Sequence, residues 1–275
     1  MIAFDHAKCL RCGVCLRDCM GGILTKDEAG YPVLTPACEK YCIACGHCYA
    51  VCPAGAVTFH GRTAEQASAS GPLPDSALVA NLLRQRRSCR HYKTEPVSRE
   101  KLDRLKEILD YSPTGCNDHQ LIFSLVEDPA VMDMIRGRVL KRLKTMMKLG
   151  LIQLVFPPSR RYFADIMNGA DMIFRGAPHL IAVSTPVFAP CSTWDAKIAL
   201  SYFDTYAQSM GLGTCWCGFG VWAFRMMPGL RRMLKLPWFY RLDAMMIFGE
   251  PDIRYARPVT PDPFRVDVIG SSGQN

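Results

Sequence analysis

CLRCGVCLRDCM at residues 9–20 and CIACGHCYAVCP at residues 42–53 carry the same cysteine run twice: Cys9-x2-Cys12-x2-Cys15-x3-Cys19, then Cys42-x2-Cys45-x2-Cys48-x3-Cys52-Pro53. Three thiolates at i, i+3 and i+6 can wrap one corner-sharing cluster. The fourth lies too far round the chain to close on the same iron, and in chains with two such runs it ligates the other cluster. The spacing therefore predicts Cys9, Cys12, Cys15 and Cys52 on one [4Fe–4S] centre, with Cys42, Cys45, Cys48 and Cys19 on a second. Structural zinc, which also takes four thiolates, is the competing reading. Two matched runs of x2, x2, x3, the second ending in Cys-Pro, fit it poorly.

Residues 1–61 resemble a bacterial-type two-[4Fe–4S] ferredoxin. Met20 departs from that pattern, standing where a proline is usual. The link from Met20 to Tyr41 is longer than in the smallest ferredoxins, so a short hairpin or loop is expected there, punctuated by Gly30 and Pro32. Cys38 falls outside the pattern and reads as an ordinary buried or semi-buried thiol, with a redox-active role as the alternative.

The chain has 275 residues, 49% of them hydrophobic, enough for one large or two modest domains. Of its 14 cysteines, the five beyond the two runs and Cys38 are Cys89, Cys116, Cys191, Cys215 and Cys217. They share no spacing, which argues against a disulfide framework. The N-terminus has no basic stretch leading into an apolar one, and a thiol-rich chain suits a reducing compartment, so a cytoplasmic protein is expected. Net charge is +8, yet residues 1–61 carry five Lys/Arg against five Asp/Glu, so the excess lies in the remainder. No recognition helix, zinc-finger spacing or RNA-binding motif accompanies it, which argues against nucleic acid.

Residues 61–74, GRTAEQASASGPLP, are small and polar and read as a linker, giving expected domains at 1–61 and 75–275 with residues 62–74 between them. Helices are expected over Asp75–Arg87, after the Ser98 cap, from Pro129, and over Asp195–Met210 ending at Gly211. Leu121–Glu127, His179–Thr185 and Ala244–Gly249 read as buried strands. This mixture predicts an α+β or α/β layered architecture. Residues 130–175 combine Met with Lys141, Arg142, Lys144 and Lys148. They suit a substrate lid, with a patch on a membrane surface or plain packing as alternatives. No Gly-x-Gly-x-x-Gly follows a strand and no P-loop is present.

Arg86-Arg87-Ser88-Cys89-Arg90 gathers guanidinium groups and a hydroxyl, the chemistry that holds phosphate. By itself it reads equally as a solvated basic turn. Together with Ser112-Pro-Thr-Gly-x-Asn117 and Gly211-Leu-Gly-Thr-Cys-Trp-Cys-Gly218, however, it resembles the flavin-binding segments of the nitroreductase family, in order and spacing. The resemblance implies an α+β flavin domain with a central sheet flanked by helices. It implies FMN held by Arg87, Ser88 and Arg90 with Arg257 closing on the phosphate. Pro113, Thr114 and Asn117 would lie against the ring, and Gly218 and Phe219 near the reactive nitrogen. It further implies a homodimer with FMN at the subunit interface. No catalytic acid is nominated.

The expected function is a two-electron reduction of a nitroaromatic, quinone or activated alkene. Electrons would pass from a reduced ferredoxin or another one-electron donor through two clusters to FMN, with NAD(P)H as an alternative reductant. Alternatives are an electron-transfer or redox-sensing module without turnover, and a divergent dehalogenase-like or ring-cleaving flavin enzyme.

Overall fold

A computed structural model describes residues 2–36, 38–67, 71–155 and 157–270. The chain divides into two compact units. The first comprises the residues up to Leu73 with Pro113–Leu121 and Phe188–Asp195, and the second the rest. Ser68–Ser70 of the expected linker and Phe156 of the Met-rich region lie outside the described residues.

In the first unit, β1 (Ile2–Phe4) is followed by α1 (Val14–Asp18), β2 (Leu24–Lys26), β3 (Pro32–Leu34), α2 (His47–Ala50) and β4 (Val57–Phe59). β1 pairs antiparallel with β4, which brings Ile2 opposite Phe59. The long link forms the hairpin β2–β3, with Gly30 at φ 85° in its loop, a backbone region that favours glycine. Both short helices start after a left-handed glycine, Gly13 and Gly46. Ile23, Leu24 and Val57 pack with Cys15 and Cys48 into a small core.

The second unit opens with α3 (Ser76–Gln85), whose first turn is capped by the Asp75 carboxylate. The Ser98 hydroxyl likewise caps α4 (Arg99–Leu109), which buries Leu102, Leu105 and Leu109 on one face. β5 (Ile122–Val126), α5 (Pro129–Lys148), α6 (Leu151–Val155) and α7 (Phe163–Met167) precede β6 (His179–Pro186). Then come α8 (Ser192–Ser209), of which the part from Ala196 belongs to this unit, β7 (Gly213–Trp216), α9 (Gly218–Met226), α10 (Pro228–Met233) and β8 (Tyr240–Gly249). The sheet runs β5-β6-β8-β7, every neighbour antiparallel. β6 is buried at all eight positions, so the continuous apolar run HLIAVST marks a strand covered on both faces. Among the described residues no helix is long and apolar enough to cross a membrane.

His179 opens β6 fully buried, and its Nε2 accepts the Val97 N–H at 2.9 Å. The ring is therefore neutral with its proton on Nδ1, 3.3 Å from the Val126 carbonyl. Burial pushes its pKa below the ordinary imidazole value. The unfolded chain thus takes up a proton before the folded one does. Stability should fall as the pH drops below about 6.5 toward the depressed folded value. Urea midpoints at pH 7.5 and 5.5 check this: the drop should be clear in the wild type and reduced in His179→Gln. An equal drop in both would assign it to other groups.

Candidate functional site

The segment Arg86–Arg90 leaves α3 and lies along β7, the edge strand of the sheet. Ser88 bridges Thr214 in the parallel sense, and the Cys89 N–H donates to the Thr214 carbonyl at 2.8 Å. This close approach requires Gly213, where an added Cβ would meet Cys89 Sγ at 2.6 Å. A polar network fixes the same segment from α8. Gln208 Oε1 accepts the Arg87 N–H at 3.2 Å, while its Nε2 donates to Asp204 Oδ1 at 2.9 Å and to Thr214 Oγ1 at 2.8 Å. Arg86 Nη1 reaches Asp204 Oδ2 at 3.3 Å, and that carboxylate is only 6% exposed. Arg86 is therefore a structural cation and Asp204 its buried counter-charge.

Arg87 and Arg90 are bound differently. Among the described residues the Arg87 guanidinium donates only to backbone carbonyls, Arg86 at 2.8 Å and Val259 at 3.4 Å, and Arg90 Nη1 sits 3.5 Å from the Ser88 carbonyl. The C-terminal tail crosses here, with the Tyr255 hydroxyl 3.4 Å from the Ser88 carbonyl. Arg257 thus falls between two tail residues that touch the Arg87–Ser88 segment. Among the described residues no carboxylate pairs with Arg87, Arg90 or Arg257. Such a cluster retains its capacity for an anion.

At the other end of β7, Gly218 and Phe219 open α9 on the surface, and nothing stands within 4 Å of a Cβ built on Gly218. Cys217 beside them is buried in the core, its thiol pushed up to about 12 by that burial. It stays protonated at neutral pH and fills space. Tyr92, two residues beyond Arg90, donates its hydroxyl to the Cys89 carbonyl at 2.7 Å and braces the turn.

Pro113, Thr114 and Asn117 belong to the first unit. The Thr114 hydroxyl accepts the His119 N–H at 3.1 Å, and the Asn117 amide donates to the Ile43 and Ala44 carbonyls at 3.0 Å each. Cys116 and Asn117 both hold φ of 54°, and the Asp195 carboxylate accepts the Gly115 N–H at 3.1 Å. The Asn117 side chain therefore anchors its own loop, a role the sequence did not suggest.

The cysteine runs require a correction. Cys9, Cys12, Cys15 and Cys52 line one cavity, and Cys42 and Cys45 lie close enough to Cys48 for their charges to bear on it. Yet the thiols range from buried Cys15 and Cys48 to exposed Cys12 and Cys45. Among the described residues no group of three or more His, Cys, Asp or Glu side chains is arranged to hold a metal ion. The expectation of two [4Fe–4S] clusters, on Cys9, Cys12, Cys15 and Cys52 and on Cys42, Cys45, Cys48 and Cys19, is overturned. With it fall the iron–sulfur dependence and the relay to FMN.

The family model described as nitroreductase family matches residues 83–250, more than half of the chain. The chain belongs to the nitroreductase family. Its second unit has the family's α+β fold, and solved structures agree. A nitroreductase with bound FMN from Bacteroides fragilis superposes with a TM-score of 0.57 at 16% identity, over 70% of this chain and 98% of that one. One with bound FMN from Desulfitobacterium hafniense gives 0.53 at 23%, over 69% and 98%. An FMN-dependent nitroreductase from Clostridium difficile gives 0.51 at 24%, over 68% and 98%. No curated protein matches the chain. The family match starts at residue 83, so the ferredoxin fold expected for residues 1–61 gains no support from it, and that part of the expected fold class is corrected as well. The expectation of NAD(P)H as an alternative reductant gains no support: the three structures hold FMN or depend on it.

The nitroreductase-type unit should depend on Asp204. Asp204→Ala leaves Arg86 and Gln208 without their shared acceptor and should cost about 2 kcal/mol, discounted for the partial exposure of Arg86. Chemical denaturation measures it; a change below roughly 0.5 kcal/mol, the scale of an ordinary surface substitution, would contradict the buried-network reading.

Proposed function

We propose that this nitroreductase-family chain is an FMN-dependent oxidoreductase whose cofactor phosphate is held by Arg87, Ser88, Arg90 and Arg257. The observation that carries this is that the tail crosses Ser88 where Arg87 and Arg90, among the described residues, have no carboxylate partner, with Arg257 falling between the two tail residues that touch this segment. Arg86, one residue away, already has its carboxylate, which marks the others as kept for an external anion. The residues present fit FMN. Guanidinium forks match phosphate oxygens, Ser88 adds a hydroxyl, and the open, side-chain-free surface at Gly218 can meet a flat ring.

When bound, FMN stores two electrons and delivers them as a hydride. The chain's own contribution is to bind, orient and exclude. Gln208 and Thr214 hold the phosphate-binding segment in register, the α9 start offers backbone to the ring, and Cys217 supplies no thiolate. No side chain is assigned a proton. The substrate would be a small acceptor such as a nitroaromatic, quinone or activated alkene.

The exposed tail residues Phe264, Val266, Val268 and Ile269 support a homodimer in which a second copy covers them. The fourteen free cysteines support a reducing compartment, the cytoplasm.

Arg87→Gln and Arg90→Gln should each weaken FMN binding about tenfold or more, since a hydrogen bond to a charged group is worth about 1.5–3 kcal/mol. Riboflavin, which lacks the phosphate, should bind both variants as it binds the wild type. Fluorescence titration of the two flavins checks this. Equal losses for both would make these arginines supports of the fold.

A further inference from the structure

α5 turns Arg138, Lys141 and Arg142 toward the junction of α9 and α10, where they line a groove of about 520 Å³ with Met226 and Met227 opposite. The spacing i, i+3, i+4 places all three cations on one helix face. No acidic residue lines the groove, and among the described residues none of the three has a carboxylate partner; Arg138 makes only a contact at 3.8 Å to Met233 Sδ. Arg136 on the same helix shows the contrast, being paired with Asp133 and Asp171.

The floor continues into an apolar recess where Trp222 joins Arg142, Met226 and Met227. Trp222 and Met226 follow Gly218 at i+4 and i+8 on α9, so the groove runs along the helix face that begins at the proposed flavin contact. Eight residues of helix span about 12 Å. An aromatic body on Trp222 with an anionic group among the α5 cations would point its other end toward Gly218.

We propose that this groove binds the acceptor, and that the acceptor is an apolar aromatic molecule carrying an anionic group. The FMN reading is needed only for calling the ligand an acceptor; the groove stands on its own geometry. Charge-assisted hydrogen bonds from Arg138 and Arg142 supply the selectivity for the anion, and the Met side chains supply an adaptable apolar wall.

The test is a titration of the full-length chain with 4-nitrobenzoate and with nitrobenzene, read by tryptophan fluorescence quenching. The wild type should bind 4-nitrobenzoate at least about tenfold more tightly than nitrobenzene, the scale of one charge-assisted contact. Arg138→Gln with Arg142→Gln should abolish that preference and leave nitrobenzene unchanged. Met226→Glu, at an exposed position, should also abolish the preference by placing a carboxylate among the cations, and it should weaken nitrobenzene as well because a side chain of the apolar wall is lost. Trp222→Phe should remove most of the quench. Equal affinity for the two ligands, a preference that survives the charge changes, or a quench that survives Trp222→Phe would each overturn the proposal. FMN affinity is measured in parallel: its failure would sink the cofactor assignment while the titration still reads the groove.

Discussion

The carboxylate of Asp204 is the constraint on which the second unit turns. It is buried on α8, and it gathers Arg86, Gln208 and Thr214 around itself. A charge in such a place is tolerated only when paired and fully hydrogen-bonded, so the partners have little freedom. Through Gln208 the constraint reaches the backbone of Arg87, and through Thr214 it reaches the edge of the sheet. The result is a short extended segment whose backbone is rigid while two of its arginines have no anion of their own.

The same logic separates positioning from binding across the unit. Gly213 gives up its side chain so that Cys89 can approach, Cys217 and Cys89 are buried thiols that pack, and Tyr92 braces a carbonyl. In the proposal made above, the exposed start of α9 and the tail around Arg257 are the surfaces that meet the flavin. Coupled this way, a change at α8 should be felt at β7 before it is felt at the tail.

Much of the unit was legible in the sequence because its signals are local. The apolar run of β6, the Ser98 and Asp75 caps, and the leucine face of α4 each announce an element through a few neighbouring residues. β7 and α9 were not legible as elements: GTCW is four residues long, and GFGVWAFRM carries glycines that weaken a helical pattern. Asp204 and Gln208 were invisible as site residues because the Arg86–Arg87 segment they hold lies more than a hundred positions away. Asn117 shows the opposite failure. A motif singled it out for the ring, and its amide is committed to Ile43 and Ala44. The paired cysteine runs gave the strongest spacing signal in the chain. Spacing specifies which thiols can share a neighbourhood, and convergence on one centre is a further condition that no three of them meet.

The central claim is that Arg87, Ser88, Arg90 and Arg257 form a phosphate site. The most direct measurement is a crystal structure of the full chain grown with FMN. The phosphate should lie within hydrogen-bonding distance of the Ser88 hydroxyl and of at least two of the three guanidinium groups. A phosphate bound away from this segment, with Arg87 and Arg90 still directed only at backbone carbonyls, would contradict the account.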